Sequence, residues 1–186
     1  MESEAVLAER LKVPLEESCH VAGRRPHIIM IHDESSFDIR QANGVKVPAG
    51  YGSHFKSFDG TQRKFLAESS GGASWMAEYN VLAGLSSRSF GRFSYFVTRI
   101  ASGRVERGLP LALRRCGYKT FTLYPAYGAF MGARGFQTTT GIQHFYDARD
   151  LGAKGIEPDA FFYDKAATLI AEQPANTPLF AFVYLA

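Results

Sequence analysis

The sequence has few of the features that identify metal-cluster or redox proteins. It contains only two cysteines among 186 residues. Cys19 and Cys116 form neither a CxxC pair nor a zinc-ribbon spacing. A disulfide between them is one alternative, but nothing in the sequence demands it, and two buried free thiols are the favoured interpretation. Cysteine usage therefore leaves the redox compartment undetermined.

Long apolar runs and strong net charge are also absent. No stretch reaches the roughly 18 consecutive apolar residues that a membrane-spanning helix requires. The acidic residues among the first ten positions do not fit a signal peptide. The formal net charge is only +3, which is compatible with an anionic substrate but predicts no nucleic-acid partner. The chain is therefore expected to be a soluble domain.

Common catalytic motifs are missing as well. A nucleophile elbow would place glycine two positions after Ser74, where Met76 stands. The chain has no Gly-Lys-Ser/Thr phosphate-binding loop. Its five histidines show no HExxH or H-x₃-H spacing, so none is assigned to a metal, and only His32 lies beside a carboxylate-rich turn.

The apolar segments that are present predict an α/β fold. Three short, β-branched or aromatic runs predict parallel strands, the first of them buried on both faces. Helices are predicted between them, with Gly84 and Gly117 ending two of these helices. The fold class is thus three αβα layers around a mostly parallel sheet. The predicted strands are 27–32, 119–124 and 179–185; the predicted helices are 74–83, 109–116 and 158–172.

The two ends of the chain carry separate expectations. A short helix over residues 3–12 and a linker to Arg25 precede a domain over residues 26–186. Functional residues of parallel α/β folds follow the carboxyl ends of strands, and the chain stops directly after the strand 179–185. We therefore expect a truncated domain; the alternative is that this is the last strand of a small complete fold. An apolar strand left at an edge invites pairing, so a homodimer through this strand is expected.

Two segments carry residues suited to phosphate chemistry. Glu34 follows the first predicted strand, where a carboxylate can hold a hard cation. On position alone, a turn whose acidic residues cap the next segment is the favoured interpretation. Ser74 follows two glycines and begins a predicted helix, whose free N–H groups favour an oxyanion. The simpler interpretation of Ser74 is a helix cap.

A third segment follows the second strand and contains Arg134. Its glycines and aromatic residues would let a ligand lie close to the backbone. Arg134 could pair with a phosphate or sulfate through two parallel hydrogen bonds. On the segment alone, a solvated surface arginine is the favoured alternative.

In their order and spacing, these segments resemble the sulfatase-like branch of the alkaline phosphatase superfamily. The resemblance is to the lipoteichoic acid synthases and to the phosphoglycerol transferases of osmoregulated glucan synthesis, and it covers about residues 26–186. The segments that carry it are residues 28–35, 71–85, 109–120, 130–134 and 141–147.

The resemblance implies a role for each candidate residue. Glu34 matches the first metal-binding carboxylate of the family, for a divalent Mn²⁺, Mg²⁺ or Zn²⁺. Ser74 matches the nucleophile, which also contacts the metal, although the synthases have threonine there. Arg134 matches the residue that holds the substrate phosphate. The family completes its metal site with an Asp-His pair much later in the chain, and no such pair occurs here.

The implied function is phosphoglycerol-type transfer from an anionic lipid or glycan phosphoester through a covalent Ser74 intermediate. One alternative is sulfate-ester hydrolysis, which the absence of a Cys/Ser-x-Pro-x-Arg motif disfavours. The other is a non-catalytic remnant, and the fragment alone is expected to be inactive. The family resemblance further implies a catalytic domain outside the cytoplasm, in the periplasm, behind membrane helices of a parent protein.

Overall fold

The computed structural model describes Ala5, Glu9, Cys19 and residues 23–64, 66–69 and 72–185. Most of the predicted helix over residues 3–12, and most of the linker behind it, lies outside these residues. The chain divides into two compact units, residues 1–34 with 68–186, and residues 35–67. The predicted domain boundary at residue 25 remains a prediction.

The larger unit is built on a four-stranded sheet in which every neighbouring pair is parallel. The order across the sheet is β1-β4-β2-β3. This confirms the predicted α/β class and the three predicted strands. The short strand β3 was not predicted, because three residues are too few for a periodic pattern. The strands are β1 (Ile28–His32), β2 (Lys119–Leu123), β3 (His144–Tyr146) and β4 (Leu179–Tyr184).

Two expectations about the strands are wrong. β4 is not an exposed edge, since it pairs with β1 on one side and β2 on the other and is buried along its whole length. The homodimer expected through this strand therefore loses its basis, because the backbone groups of β4 are already paired. The edge strands of the described sheet are β1 and β3. Ile29 and Ile31 of β1 are 51% and 46% exposed, so β1 is not buried on both faces.

Helices cover both faces of the sheet, as predicted. α1 ends at Gly84, whose left-handed φ of 68° lets its N–H reach the Asn80 carbonyl. α3 carries Pro110 in its first turn. The short helices α2 and α4 were not predicted. The helices are α1 (Trp75–Ala83), α2 (Val97–Ala101), α3 (Leu109–Arg115), α4 (Ala133–Thr139) and α5 (Asp159–Ala171). No helix in the described ranges is long and apolar enough to cross a membrane.

Alternation along β4 divides the core into two clusters. Phe180, Phe182 and Tyr184 face the cluster that contains α1, α2 and α4. Leu179, Ala181 and Val183 face the cluster that contains α5. Successive side chains of a strand point to opposite faces, so the even-numbered and odd-numbered residues of β4 contact different helices. Tyr184 therefore lies on the α1 side.

The cysteines form a disulfide, which corrects the expectation of two free thiols. Cys19 and Cys116 have Cα atoms 5.2 Å apart, within the range that a disulfide spans. They are separated by 97 positions, so no sequence spacing could indicate the pair. The bridge ties the segment before β1 to the end of α3. Structural disulfides are typical of oxidising compartments.

The smaller unit, residues 35–67, contains two short 3-10 turns, Ile39–Gln41 and Tyr51–Phe55. Asp38 caps the first of them by accepting a hydrogen bond from the Arg40 backbone N–H. Asp59 is paired with Arg63 at 2.9 Å. These contacts connect residues close in sequence, so they order local turns rather than a core.

Candidate active site

The carboxyl ends of neighbouring strands bring the candidate residues to one edge of the sheet. His32, the last residue of β1, lies opposite Tyr184, the last residue of β4. Glu34 follows β1 by two residues and Tyr124 follows β2 directly. Ligand sites of open α/β sheets occupy this edge, so the location agrees with the predicted chemistry.

Ser74 immediately precedes α1, but it does not cap the helix. Its side chain makes no capping hydrogen bond, and its backbone is already helical at φ −53° and ψ −28°. The Tyr184 hydroxyl instead donates a hydrogen bond to Ser74 Oγ at 2.7 Å. The simpler interpretation, in which Ser74 serves only as a cap, is therefore wrong. The hydroxyl is held by another side chain at the strand ends.

Glu34 also lies next to Tyr184, the residue that donates a hydrogen bond to Ser74. The Glu34 carboxylate lies close enough to the Tyr184 hydroxyl to influence its pKa. Burial raises the pKa of Tyr184 above the ordinary tyrosine value, so its hydroxyl keeps its proton. The structure thus brings Glu34 and Ser74 to one hydroxyl at the same edge. Their roles as metal ligand and nucleophile remain predictions.

Unusual backbone conformations occur in all three segments that the sequence singled out. Among the described residues, positive φ angles of non-glycine residues occur only at Ser35, Ala73 and Met131, at 60°, 58° and 47°. Such conformations cost about 1–3 kcal/mol each and are concentrated at functional sites. Ser35 follows Glu34, Ala73 precedes Ser74, and Met131 lies in the loop before Arg134.

His32 lies against the tyrosine that links the two candidates. Its ring stacks on Tyr184 with centroids 4.3 Å apart. Burial lowers the pKa of His32, and the nearby Glu34 and Asp33 charges oppose that effect. The imidazole is therefore neutral at physiological pH, and the flat face of its ring packs against the ring of Tyr184.

Sequence reasoning missed a buried carboxyl group beneath Ser74. Glu78 lies one helical turn after Ser74, is completely buried, and accepts a hydrogen bond from Gln137 Nε2 at 3.0 Å. Burial raises the pKa of Glu78 to about 8, although the Gln137 hydrogen bond acts in the opposite direction. Its other oxygen, Oε2, has no partner among the described residues. The flanking apolar residues Tyr79 and Leu82 were the only sequence signal of burial.

Arg134 is occupied by contacts within the protein. Its Nη1 donates to the Phe145 carbonyl, and its Nη2 donates to Asp147 and Asp150, each at 2.9 Å. The guanidinium also lies over the Phe145 ring, 4.8 Å from its centroid. These contacts fasten the loop between β2 and α4 to the segment after β3. Substrate binding by Arg134 remains a prediction, and it would require the side chain to release one of these acceptors.

A row of partly exposed aromatic rings begins beside Ser74. Trp75 makes edge contacts with Tyr95 and Phe130, at centroid distances of 5.0 and 5.7 Å. Tyr95 in turn contacts Phe96. The rings of Tyr95, Phe96 and Phe130 are about half exposed. Apolar surface of this kind next to a candidate nucleophile suits a ring or chain of a substrate.

The described residues do not by themselves form a metal site. No group of three or more His, Cys, Asp and Glu side chains among them is placed to hold a metal ion. Glu34 and Ser74 both lie near the Tyr184 hydroxyl and offer only two side chains, whereas hard cations take about six or more oxygen ligands. The two residues fit an incomplete ligand set, and a complete site would need donors from elsewhere.

Comparisons with known proteins bear on the fold. No family model and no curated protein matches the chain. The structure is similar to the lipoteichoic acid synthase LtaP from Listeria monocytogenes, with a TM-score of 0.70 and 21% identity over 98% of this chain and 46% of that chain. A protein in the alkaline phosphatase superfamily from Vibrio parahaemolyticus aligns with a TM-score of 0.47 and 11% identity, over 100% of this chain and 50% of that one.

The chain thus spans about half the length of these two proteins. At this level of identity the similarity to LtaP concerns the fold. The chain has the fold of a lipoteichoic acid synthase over nearly its whole length, which confirms, for the fold, the family resemblance found in its sequence.

Proposed function

We propose that the chain carries the nucleophile-bearing part of a metal-dependent phosphoester-processing site, with Ser74 as the nucleophile. The observation that carries this proposal is the hydrogen bond from the Tyr184 hydroxyl to Ser74 Oγ at 2.7 Å, with the Glu34 carboxylate near the same hydroxyl. A serine that served only as an N-terminal helix cap would accept a hydrogen bond from a backbone N–H group of the first helical turn. Ser74 is instead held at the strand edge beside a carboxylate.

The reaction would proceed in two displacements at phosphorus. Ser74 Oγ forms a bond to phosphorus, its proton passes to solvent, and the donor ester oxygen leaves with the bonding electron pair and takes up a proton. A hydroxyl of the acceptor, or water, then forms the new bond to phosphorus and releases Ser74 Oγ, which regains a proton. The donor and acceptor exchange places, and the serine is restored.

Glu34 and Ser74 would be the ligands that this chain contributes to a divalent cation such as Mn²⁺, Mg²⁺ or Zn²⁺. A bound cation would favour the ionised serine and offset negative charge on the phosphoryl group. The other ligands would come from outside the described residues. The Glu34 carboxylate lies close to the Tyr184 hydroxyl that donates to Ser74 Oγ, so this chain's two proposed ligands lie at the same strand edge.

The substrate we propose is an anionic lipid or glycan phosphoester of the phosphoglycerol type, transferred to a glycan or glycolipid outside the cytoplasm. The fold of LtaP, named as a lipoteichoic acid synthase, supports this class. The disulfide supports an oxidising compartment, and the exposed aromatic row beside Ser74 supports a substrate with an apolar or ring-shaped part.

Measurements of ester turnover distinguish this function from two alternatives. A sulfatase would hydrolyse sulfate esters, whereas a non-catalytic binding domain would turn over neither ester. We expect the full-length gene product with Mn²⁺ to hydrolyse a chromogenic phosphodiester, the 186-residue chain alone to be inactive, and Ser74→Ala to abolish the turnover.

Ser74→Thr is the matched variant, since it keeps the hydroxyl group and adds one methyl. We expect it to retain part of the activity. Phosphodiester turnover by Ser74→Ala equal to the unsubstituted protein would rule out Ser74 as the nucleophile. Turnover of sulfate esters alone would favour the sulfatase alternative.

A further inference from the structure

We propose that Tyr184 is a positioning residue for Ser74, whose hydroxyl fixes Ser74 Oγ beside Glu34 and stabilises negative charge on that oxygen during attack. This inference rests on the proposed function of Ser74. It assigns a role to a side chain that no sequence motif indicated, because Tyr184 continues an apolar strand and looks like a core residue.

The pattern of β4 isolates the hydroxyl as the unusual feature. Phe180, Phe182 and Tyr184 face the same core cluster, and all three are buried. Phenylalanine fills the first two positions, so a third phenylalanine would satisfy the packing at residue 184. The hydroxyl appears only at the carboxyl end of the strand, where its oxygen lies 2.7 Å from Ser74 Oγ.

The ring that carries this hydroxyl is held on several sides. His32 stacks on it at 4.3 Å, Tyr124 makes an edge contact at 5.2 Å, and Phe182 makes another at 6.2 Å. Tyr184 is only 3% exposed. Because side chains in such cores occupy single packed rotamers, the oxygen has a defined position before any substrate binds.

The chemistry of the contact suits a forming nucleophile. A tyrosine hydroxyl donates one hydrogen bond and also accepts. Hydrogen bonds strengthen when the acceptor gains charge, so a donor aimed at Ser74 Oγ stabilises the oxygen more as it loses its proton. The Glu34 carboxylate lies near the same hydroxyl, so Ser74 Oγ is held in the part of the strand edge that also carries the carboxylate.

Tyr79 provides a matched control. It lies on α1, is completely buried in the same core cluster, and its hydroxyl has no hydrogen-bond partner among the described residues. Tyr79→Phe and Tyr184→Phe therefore remove the same atom from similarly buried rings. Only the second removes an atom that touches Ser74.

The kinetic test compares these two variants in the full-length gene product with Mn²⁺ and a chromogenic phosphodiester. Loss of one positioned donor to a reacting oxygen typically lowers kcat by about 100-fold or more. We expect that loss for Tyr184→Phe, with KM within about threefold of its original value. In a plot of kcat against pH, we also expect the acid limb of Tyr184→Phe to lie at higher pH than that of the unsubstituted protein. Tyr79→Phe should match the unsubstituted protein.

A spectroscopic test is independent of turnover. With tyrosine labelled at the ring carbon that bears the hydroxyl, we expect Ser74→Ala to shift the Tyr184 resonance and leave the Tyr79 resonance in place. An unmoved Tyr184 resonance would overturn the contact itself.

The outcomes separate the two proposals. If Ser74→Ala abolishes turnover while Tyr184→Phe behaves like Tyr79→Phe, the role of Tyr184 is wrong and the proposed function stands. If Ser74→Ala stays active, or no variant and no unsubstituted protein turns over the ester, the proposed function falls and the catalytic part of this inference falls with it.

Discussion

The segments around Ser74 and Arg134 both lie at the functional edge of the fold, and both were predicted from sequence to contact substrate. They use their polar groups differently. Ser74 makes no helix cap and meets one tyrosine hydroxyl, whereas Arg134 binds a carbonyl and two carboxylates. The comparison teaches that position alone does not identify a reactive group. The hydrogen bonds that a side chain already makes within the protein must be considered as well.

The largest effect we expect concerns Glu78, beneath Ser74. The pKa of Glu78 rises from 4.5 to about 8 on folding, so the folded state binds a proton that the unfolded state releases above pH 4.5. The contribution of Glu78 to stability is therefore largest below pH 4.5 and falls as the pH rises to about 8. Glu78→Gln should remove this fall and raise the free energy of unfolding at pH 8 by on the order of 3 kcal/mol.

Urea denaturation of both proteins at low and high pH measures the effect of Glu78. The free energies of unfolding of Glu78→Gln and of the unsubstituted protein should depend on pH in the same way only if the Glu78 carboxyl group is ionised or solvated in the folded state. An equal fall in stability for Glu78→Gln and the unsubstituted protein would contradict the buried, protonated carboxyl group.

The next effect concerns Arg134. Arg134→Ala removes three hydrogen bonds, two of them to carboxylates, and should lower the free energy of unfolding by about 2 kcal/mol, a value reduced because the side chain is partly exposed. Arg134→Lys cannot reproduce the planar fork and should recover only part of this loss. Thermal and urea unfolding measure it. Unchanged stability with weakened substrate binding would instead restore the predicted phosphate-binding role.

A smaller effect should arise at Ala73. Its φ of 58° is strained for alanine and ordinary for glycine. Ala73→Gly should relieve this strain and raise the free energy of unfolding by roughly 1 kcal/mol, less the added entropy of the unfolded chain. Ala83→Gly, in the last turn of α1, is the matched control and should destabilise. Destabilisation by both substitutions would mean that Ala73 is not strained.

Much of the fold follows from local sequence, and the site follows only in part. The runs that form β1, β2 and β4 are short and apolar, and Gly84 and Gly117 mark helix ends, so these elements were predictable. The order of the strands was not, because β4 pairs with β1 and β2 across long separations. Apolar content indicates a strand, but it shows neither which strands pair with it nor, as β1 demonstrates, whether both of its faces are buried.

The polar contacts of the site were less accessible to sequence reasoning. Tyr184 resembles a core residue, and its contact with Ser74 joins positions 110 residues apart. The acceptors of Arg134 lie in β3 and in the segment after it, and they meet Arg134 only when the chain is folded. The disulfide likewise joins cysteines 97 positions apart. Long-range geometry, not residue type, decides each of these contacts.

The smallest expected effect on stability is at Ser74 itself. Because Ser74 makes no capping hydrogen bond, Ser74→Ala should lower the free energy of unfolding only through the lost hydrogen bond from Tyr184, by about 0.5–1 kcal/mol. Thermal unfolding in a Tyr184→Phe background, where that hydrogen bond is already absent, should show almost no further loss; a further loss of about 1 kcal/mol, typical of a lost cap, would return Ser74 to a structural role.

The most direct test of the account is to trap the covalent intermediate. The full-length gene product is mixed with Mn²⁺ and a slowly turned-over phosphodiester, quenched in acid, digested and analysed by mass spectrometry. We predict a phosphoryl or phosphoglyceryl adduct on the peptide that contains Ser74, absent from Ser74→Ala. Turnover that proceeds with no adduct on that peptide, or with the adduct on another residue, would contradict the claim that Ser74 is the nucleophile.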